Sequence, residues 1–147
     1  MRQEHERSGA LPGGCILCGA ASGVRRSDGW HCTVCDWRVG DAPDADLPPP
    51  VVEVVYYIRF ADRIKIGTSR QPRRRLSVLW HDELLAFERG GRAVERRRHE
   101  QFAHLREGGE WFCADPALLA HIAALPGAVA PWDAYARWVS AAYRALC

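Results

Sequence analysis

Two Cys-x-x-Cys pairs constrain this chain more than any other feature. "CILC" gives Cys15 and Cys18, "CTVC" gives Cys32 and Cys35, and thirteen residues lie between the pairs. Each such turn sets two thiolates on one side of a tight loop, and two loops complete a tetrahedron around Zn²⁺. Gly19 supplies a turn position after the first pair, and Trp30 and Trp37 flank the second. Four thiolates leave no open coordination position, so the zinc is expected to be structural, with His31 excluded by saturation. The block holds few apolar residues and is expected to unfold without metal. It reads as a zinc ribbon that contacts DNA or a partner, or as a fold-stabilising appendage. Cys113 and Cys147 have no such partner. We expect Cys113 to be buried and Cys147 to be a free terminal thiol.

Six cysteines bear on compartment as well. "MRQEHERSGALPGG" is polar and lacks an apolar signal-peptide core, and no stretch approaches the ~20 apolar residues of a membrane helix. A cytoplasmic location without membrane contact is therefore expected, where cysteines bind metal or stay reduced rather than pair. Oligomeric state is not legible.

The expected organisation is a flexible tail over residues 1–14, a zinc ribbon over 15–39 and an extended Pro/Asp-rich linker over 40–50, "GDAPDADLPPP". A folded domain follows over 51–114, and helices over 115–147 pack on it. Val52–Phe60 is β-branched and aromatic, and Arg63–Gly67 returns after a turn near Asp62. Pro72 opens a helix through Leu76, Leu79 and Trp80. "ELLAFERGG" is a strand, Arg92–Arg106 a helix, "EWFC" a short strand. Asp115-Pro116 caps a helix carrying Leu118, Leu119, Ile122 and Leu125, stopped at Pro126-Gly127. A last helix begins near Trp132. The order from Val51 is β-β-α-β-α-β-α-α. The fold class is α/β in the broad sense (α+β), a small, largely antiparallel sheet flanked by helices. With 48% hydrophobic residues the chain can pack a core.

The net charge of +2 hides an asymmetry. Arg63–Arg106 holds twelve Lys/Arg against five Asp/Glu, a surplus of seven, so the remainder is acidic. Such a segment suits a polyanionic partner or forms a solvated helix face. Across the main domain, Tyr56 is on the first strand, Lys65 on the second and Arg75 on the next helix, and Glu95 and His99 share a helix face four residues apart. This is the inventory of a metal-assisted phosphodiesterase.

At these residues the chain resembles the GIY-YIG nucleases. "VYY" or "VVY" stands where the GIY motif is expected, with Tyr56 aligned to its tyrosine, and "KIG" (Lys65-Ile66-Gly67) stands where YIG is expected. Arg75 follows Gly67 by eight residues, as the family's helix arginine does. "ERRRHEQF" and "GEWF" resemble a phage and bacterial branch with an E-x3-H-x2-F helix. The resemblance spans roughly Val54–Phe112. Lysine replaces the YIG tyrosine. The resemblance implies a DNA endonuclease. Tyr56, favoured in its ionised form by Lys65 and Arg75, acts as general base on water, and Arg75 holds the scissile phosphate. Glu95 binds one Mg²⁺ or Mn²⁺, Lys65 and His99 orient water or phosphate, and Tyr57 and Glu110 are supporting groups, with Tyr57 on the strand's opposite face. Arg70, Arg73, Arg74, Arg96 and Arg97 are the candidates for nucleic-acid contact. Trp80, His81, Trp111 and Phe112 have a base-stacking role open to them, with core packing the stronger role for Trp111 and Phe112. The alternatives are a non-catalytic nucleic-acid-binding module and a protein-interaction adaptor.

Overall fold

The structure, a computed structural model, describes residues 7–146. The first six residues of the expected tail and the Cys147 thiol lie outside the described residues. The chain forms two compact units, one from 7–50 with 136–146, the other Val51–Tyr135. The class is mixed α+β, with antiparallel sheets and four helices among the described residues. No helix there is long and apolar enough to cross a membrane.

In the first unit, β1 (Arg7–Ala10), β2 (Ser22–Arg26) and β3 (Gly29–Cys32) form an antiparallel sheet in that order. The expected flexible tail is therefore corrected from Arg7 onward. Burial of Leu11, whose N–H donates to the Ala21 carbonyl at 2.8 Å, draws the preceding residues alongside β2. The two cysteine knuckles have matching backbones. Gly19 N–H bonds Cys15 O at 2.8 Å and Asp36 N–H bonds Cys32 O at 3.0 Å, both from the left-handed region at φ +78° and +68°. Leu11, Cys15, Cys32, Cys35, Trp37 and Ala136 make one apolar cluster. Ala136 sits on α4 (Pro131–Arg144), so the unit boundary falls within this helix. The 136–144 portion thus belongs with the cysteine unit, not with the following domain as expected. Trp37 meets Tyr143 edge-on at 6.3 Å, and Arg137 Nε donates to Val34 O at 2.8 Å.

The second unit has β4 (Val54–Phe60), β5 (Arg63–Ser69), α1 (Pro72–Val78), β6 (Glu83–Arg89), α2 (Arg92–Gln101), β7 (Arg106–Gly108), β8 (Trp111–Cys113) and α3 (Pro116–Ala123). The sheet order is β6-β4-β5-β8-β7, all antiparallel. β4 lies inside the sheet between β6 and β5, and its run Val54–Ile58 is buried without a break. One face carries Val55, Tyr57, Ile64, Ile66, Ala86, Phe102, Phe112, Leu118 and Ile122 as a core. Phe87 of β6 packs against Trp132 and Tyr135 at 4.9 and 5.9 Å. Asp115 caps α3 as expected, its Oδ1 accepting Ala117 N–H at 2.9 Å.

Two expectations change here. The helix expected over Arg92–Arg106 ends at Gln101, followed by a 3₁₀ turn at Ala103–Leu105 and the unanticipated strand β7. Phe102 turns into the core, and Gly108 and Gly109, at φ +157° and +55°, fold β7 back onto β8. Cys113 is half-buried rather than buried, at the outer end of β8.

Candidate functional site

β8 pairs with β5 over Arg63–Lys65, Ile66 N–H adds a bond to Glu110 O at 3.0 Å, and Gly67–Ser69 have no strand partner on that side among the described residues. An open pocket of about 710 Å³ lies against this edge. It gathers Tyr56 from β4, Thr68 from β5, Arg75 from α1, Arg106 from β7 and Glu110 from the β7–β8 turn. α2 contributes Arg92, Glu95, Arg96, His99 and Glu100. These recur at helical spacing, so one face of α2 makes one wall.

Tyr56 is the cross-strand partner of Gly67. A Cβ at 67 would fall within the van der Waals envelope of the Tyr56 hydroxyl and ring tip. The phenol therefore lies across the glycine, and this close approach, not an unusual φ, requires glycine there. Tyr56 is 1% exposed yet lines the pocket, so its hydroxyl is what faces it. Burial pushes the phenol up from its ordinary value, and the carboxylates of Glu110 and Glu95 add to the rise. Arg75, beside the hydroxyl, pulls the other way without overcoming burial. The expected shift toward the ionised form is thus reversed, because desolvation outweighs one solvated guanidinium.

His99 Nε2 donates to Ile66 O at 2.8 Å, and its ring packs on Phe112 at 5.1 Å. The same nitrogen is 4.0 Å from Glu95 Oε1. The carbonyl thus fixes the ring, and Glu95 is left free to take another partner. Lys65 is not among the lining residues. Its Nζ is 3.8 Å from Glu110 Oε2 and 6.0 Å from the Trp111 ring centre, which also carries Arg63 at 5.2 Å. Lys65 thus reaches the pocket only through Glu110.

Tyr57 stands apart from this group. Its hydroxyl donates to Glu88 Oε1 at 2.8 Å, and His121 Nε2 lies 3.2 Å away. Arg98 Nε donates to the same Glu88 oxygen at 3.0 Å. Since the hydroxyl proton goes to Glu88, His121 is the donor to Tyr57. Tyr57 is a structural partner in the core rather than a support of the pocket, because alternate strand residues face opposite sides. Burial pushes its phenol up strongly.

The five arginines proposed for nucleic-acid contact divide. Arg96 lines the pocket and Arg97 is exposed on α2. Arg70 and Arg74 line a neighbouring cleft. Arg73 is stacked on Trp132 at 4.8 Å. Thr68, Arg92, Glu100 and Arg106 are pocket residues missed as site residues in the sequence. The α2 spacing carried a signal for Arg92 and Glu100. Arg106 continues the Glu95/His99 face in the helix expected to reach it, but it arrives at the pocket from β7, which was not legible.

The four N-terminal cysteines come together as a second site. Their sulfurs lie within 4.8 Å of one another, with Cys15–Cys35 and Cys18–Cys32 at 3.6 Å. Sulfurs at 2.3 Å from a tetrahedral zinc would be about 3.8 Å apart, so the cluster fits that ion. Cys15, Cys32 and Cys35 are buried, and burial pushes the Cys35 thiol up. No family model matches this chain, nor does any curated protein or solved structure.

Proposed function

We propose that Val51–Tyr135 is a metal-dependent endonuclease that hydrolyses phosphodiester bonds in DNA, as the GIY-YIG resemblance implies. The observation that carries this reading is the convergence of Tyr56, Arg75, Glu95 and His99, from three separate elements, on one pocket. Arg92, Arg96 and Arg106 surround them, which suits a polyanion. In the reaction, Arg75 holds the scissile phosphate and offsets the charge that builds on it. The Tyr56 phenolate takes a proton from water, whose oxygen attacks phosphorus. The bond to the leaving oxygen breaks with its electron pair, and solvent protonates that oxygen. Glu95 would hold Mg²⁺ or Mn²⁺, which supplies charge stabilisation at the leaving oxygen. One carboxylate suits magnesium, which takes few protein ligands and keeps water or substrate phosphate as the rest. Glu110 would hold Lys65 in place beside the site. The cysteine cluster would bind structural zinc, in the reducing cytoplasm.

The test is incubation with supercoiled plasmid and with single-stranded DNA, in Mg²⁺, Mn²⁺ or EDTA, beside Glu95→Ala and Tyr56→Phe. Metal-dependent nicking lost in both variants is expected. A second reading, a nucleic-acid-binding module without cleavage, is favoured by the upward shift of Tyr56 and the tethering of Lys65 to Glu110. Salt-sensitive binding with no nicking under any condition would select it.

A further inference from the structure

Two clefts of the second unit share Arg75. One is the pocket described above. The other, about 810 Å³, is lined by Ser69, Arg70, Gln71, Arg74 and Val78, together with Val51 and Arg75. Among the described residues, no carboxylate lines it. A polyanion held at Arg75 in the first cleft therefore has a cationic path into the second, along the face of α1 that carries Arg74. Arg70 pairs with Glu53 at 3.5 Å, but the arginine is largely in solvent and the carboxylate partly so, and a phosphate can compete for it. Arg73 is excluded from this path by its stacking on Trp132.

The end of α1 adds a different chemistry. Val78, on the cleft wall, is 75% exposed, and Trp80 is 82% exposed. The other five tryptophans are all buried or half-buried. A lone exposed apolar side chain needs no explanation. Here a valine on the wall of an arginine-lined cleft and an indole two residues further along the chain both stand in water. Cationic groups for phosphates beside a free aromatic face make a platform on which unpaired bases stack. A duplex hides its base faces and cannot use it.

We propose that the second cleft receives the nucleotides flanking the scissile phosphate of a single-stranded nucleic acid, with phosphates on Arg74 and Arg70 and an unstacked base on Trp80. The proposal rests on the nuclease-like reading only for the position of the scissile phosphate at Arg75.

The experiment is fluorescence anisotropy on the full zinc-loaded chain without added Mg²⁺ or Mn²⁺. Labelled single-stranded DNA, single-stranded RNA and duplex DNA of one length are compared. Trp80→Ala is expected to weaken single-strand binding roughly tenfold and leave duplex binding unchanged. Trp80→Tyr restores most of the loss, and Arg74→Gln lowers the salt dependence by about one counterion. The DNA and RNA arms decide which sugar is accepted. Single-strand binding unaffected by Trp80→Ala, an equal loss on duplex, or no nucleic-acid binding at all overturns the proposal, the last pointing to a protein partner. Trp80-dependent binding by a chain that never nicks DNA sinks the endonuclease and leaves this inference standing. Nicking indifferent to Trp80→Ala, with unchanged binding, does the reverse.

Discussion

Replacing Gly67 by alanine has an effect whose sign the structure reverses. Gly67 has no positive φ, and alanine there reduces the freedom of the unfolded chain, which by itself stabilises by about 0.4–1 kcal/mol. The new Cβ, however, would overlap the hydroxyl and ring tip of Tyr56. Tyr56 is 1% exposed and its other cross-strand neighbour is the fully buried Phe87, so the ring can give way only at its hydroxyl end, toward the pocket. Overpacking of this kind costs about 1–3 kcal/mol. The net expectation is destabilisation by about 1–2 kcal/mol, a Tm lowered by roughly 5–10 °C for a domain of this size. The assay is a urea and thermal titration of the zinc-loaded protein by circular dichroism, run as a double-mutant cycle with Tyr56→Leu. Leucine removes the ring tip, so Gly67→Ala should become neutral or stabilising in that background. A Gly67→Ala protein as stable as wild type, or two effects that simply add, would refute the reasoning.

Other outcomes follow from the same geometry. Stripping zinc with a strong chelator should remove amide protection from residues 7–50 and 136–146, while β4–β6 keep theirs; hydrogen exchange reads both, and unchanged protection of the cysteine knuckles would count against a structural metal. Arg98→Met leaves Glu88, whose side chain is 13% exposed, without its cation and should cost about 2–3 kcal/mol by urea titration. Burial and Arg98 hold His121 below its ordinary 6.5, so the folded state favours neutral imidazole. Its stabilising contribution is complete above 6.5 and is lost as pH falls from there through the folded value; His121→Gln should flatten stability over that window. Cleavage by the proposed mechanism should rise with pH toward and beyond 10, because Tyr56 is shifted above that value. A rate flat between pH 6 and 9 would assign the proton transfer to another group.

The sequence by itself determined features set by neighbours along the chain. Cys-x-x-Cys spacing brings two sulfurs together within one turn, and Asp115-Pro116 starts α3, whatever the rest does. Period-two alternation separates Tyr56 from Tyr57, and four-residue spacing puts Glu95 beside His99. What only the tertiary structure decided depends on atoms far apart in sequence. The hydrogen-bond partners of β7 lie on β8, so three residues of unremarkable composition gave no sign of a strand, and Arg106, expected on the helix face beside His99, reaches the pocket from that strand instead. Which unit takes each half of α4 was settled by Phe87 on one side and Trp37 on the other, though its pattern is continuous. Lys65 looked like a pocket residue until Glu110 and Trp111 were folded against it. The direction of the Tyr56 shift was settled last of all. Charge count along the sequence favours a phenolate, but desolvation depends on how completely distant strands and helices bury the ring, and that burial wins.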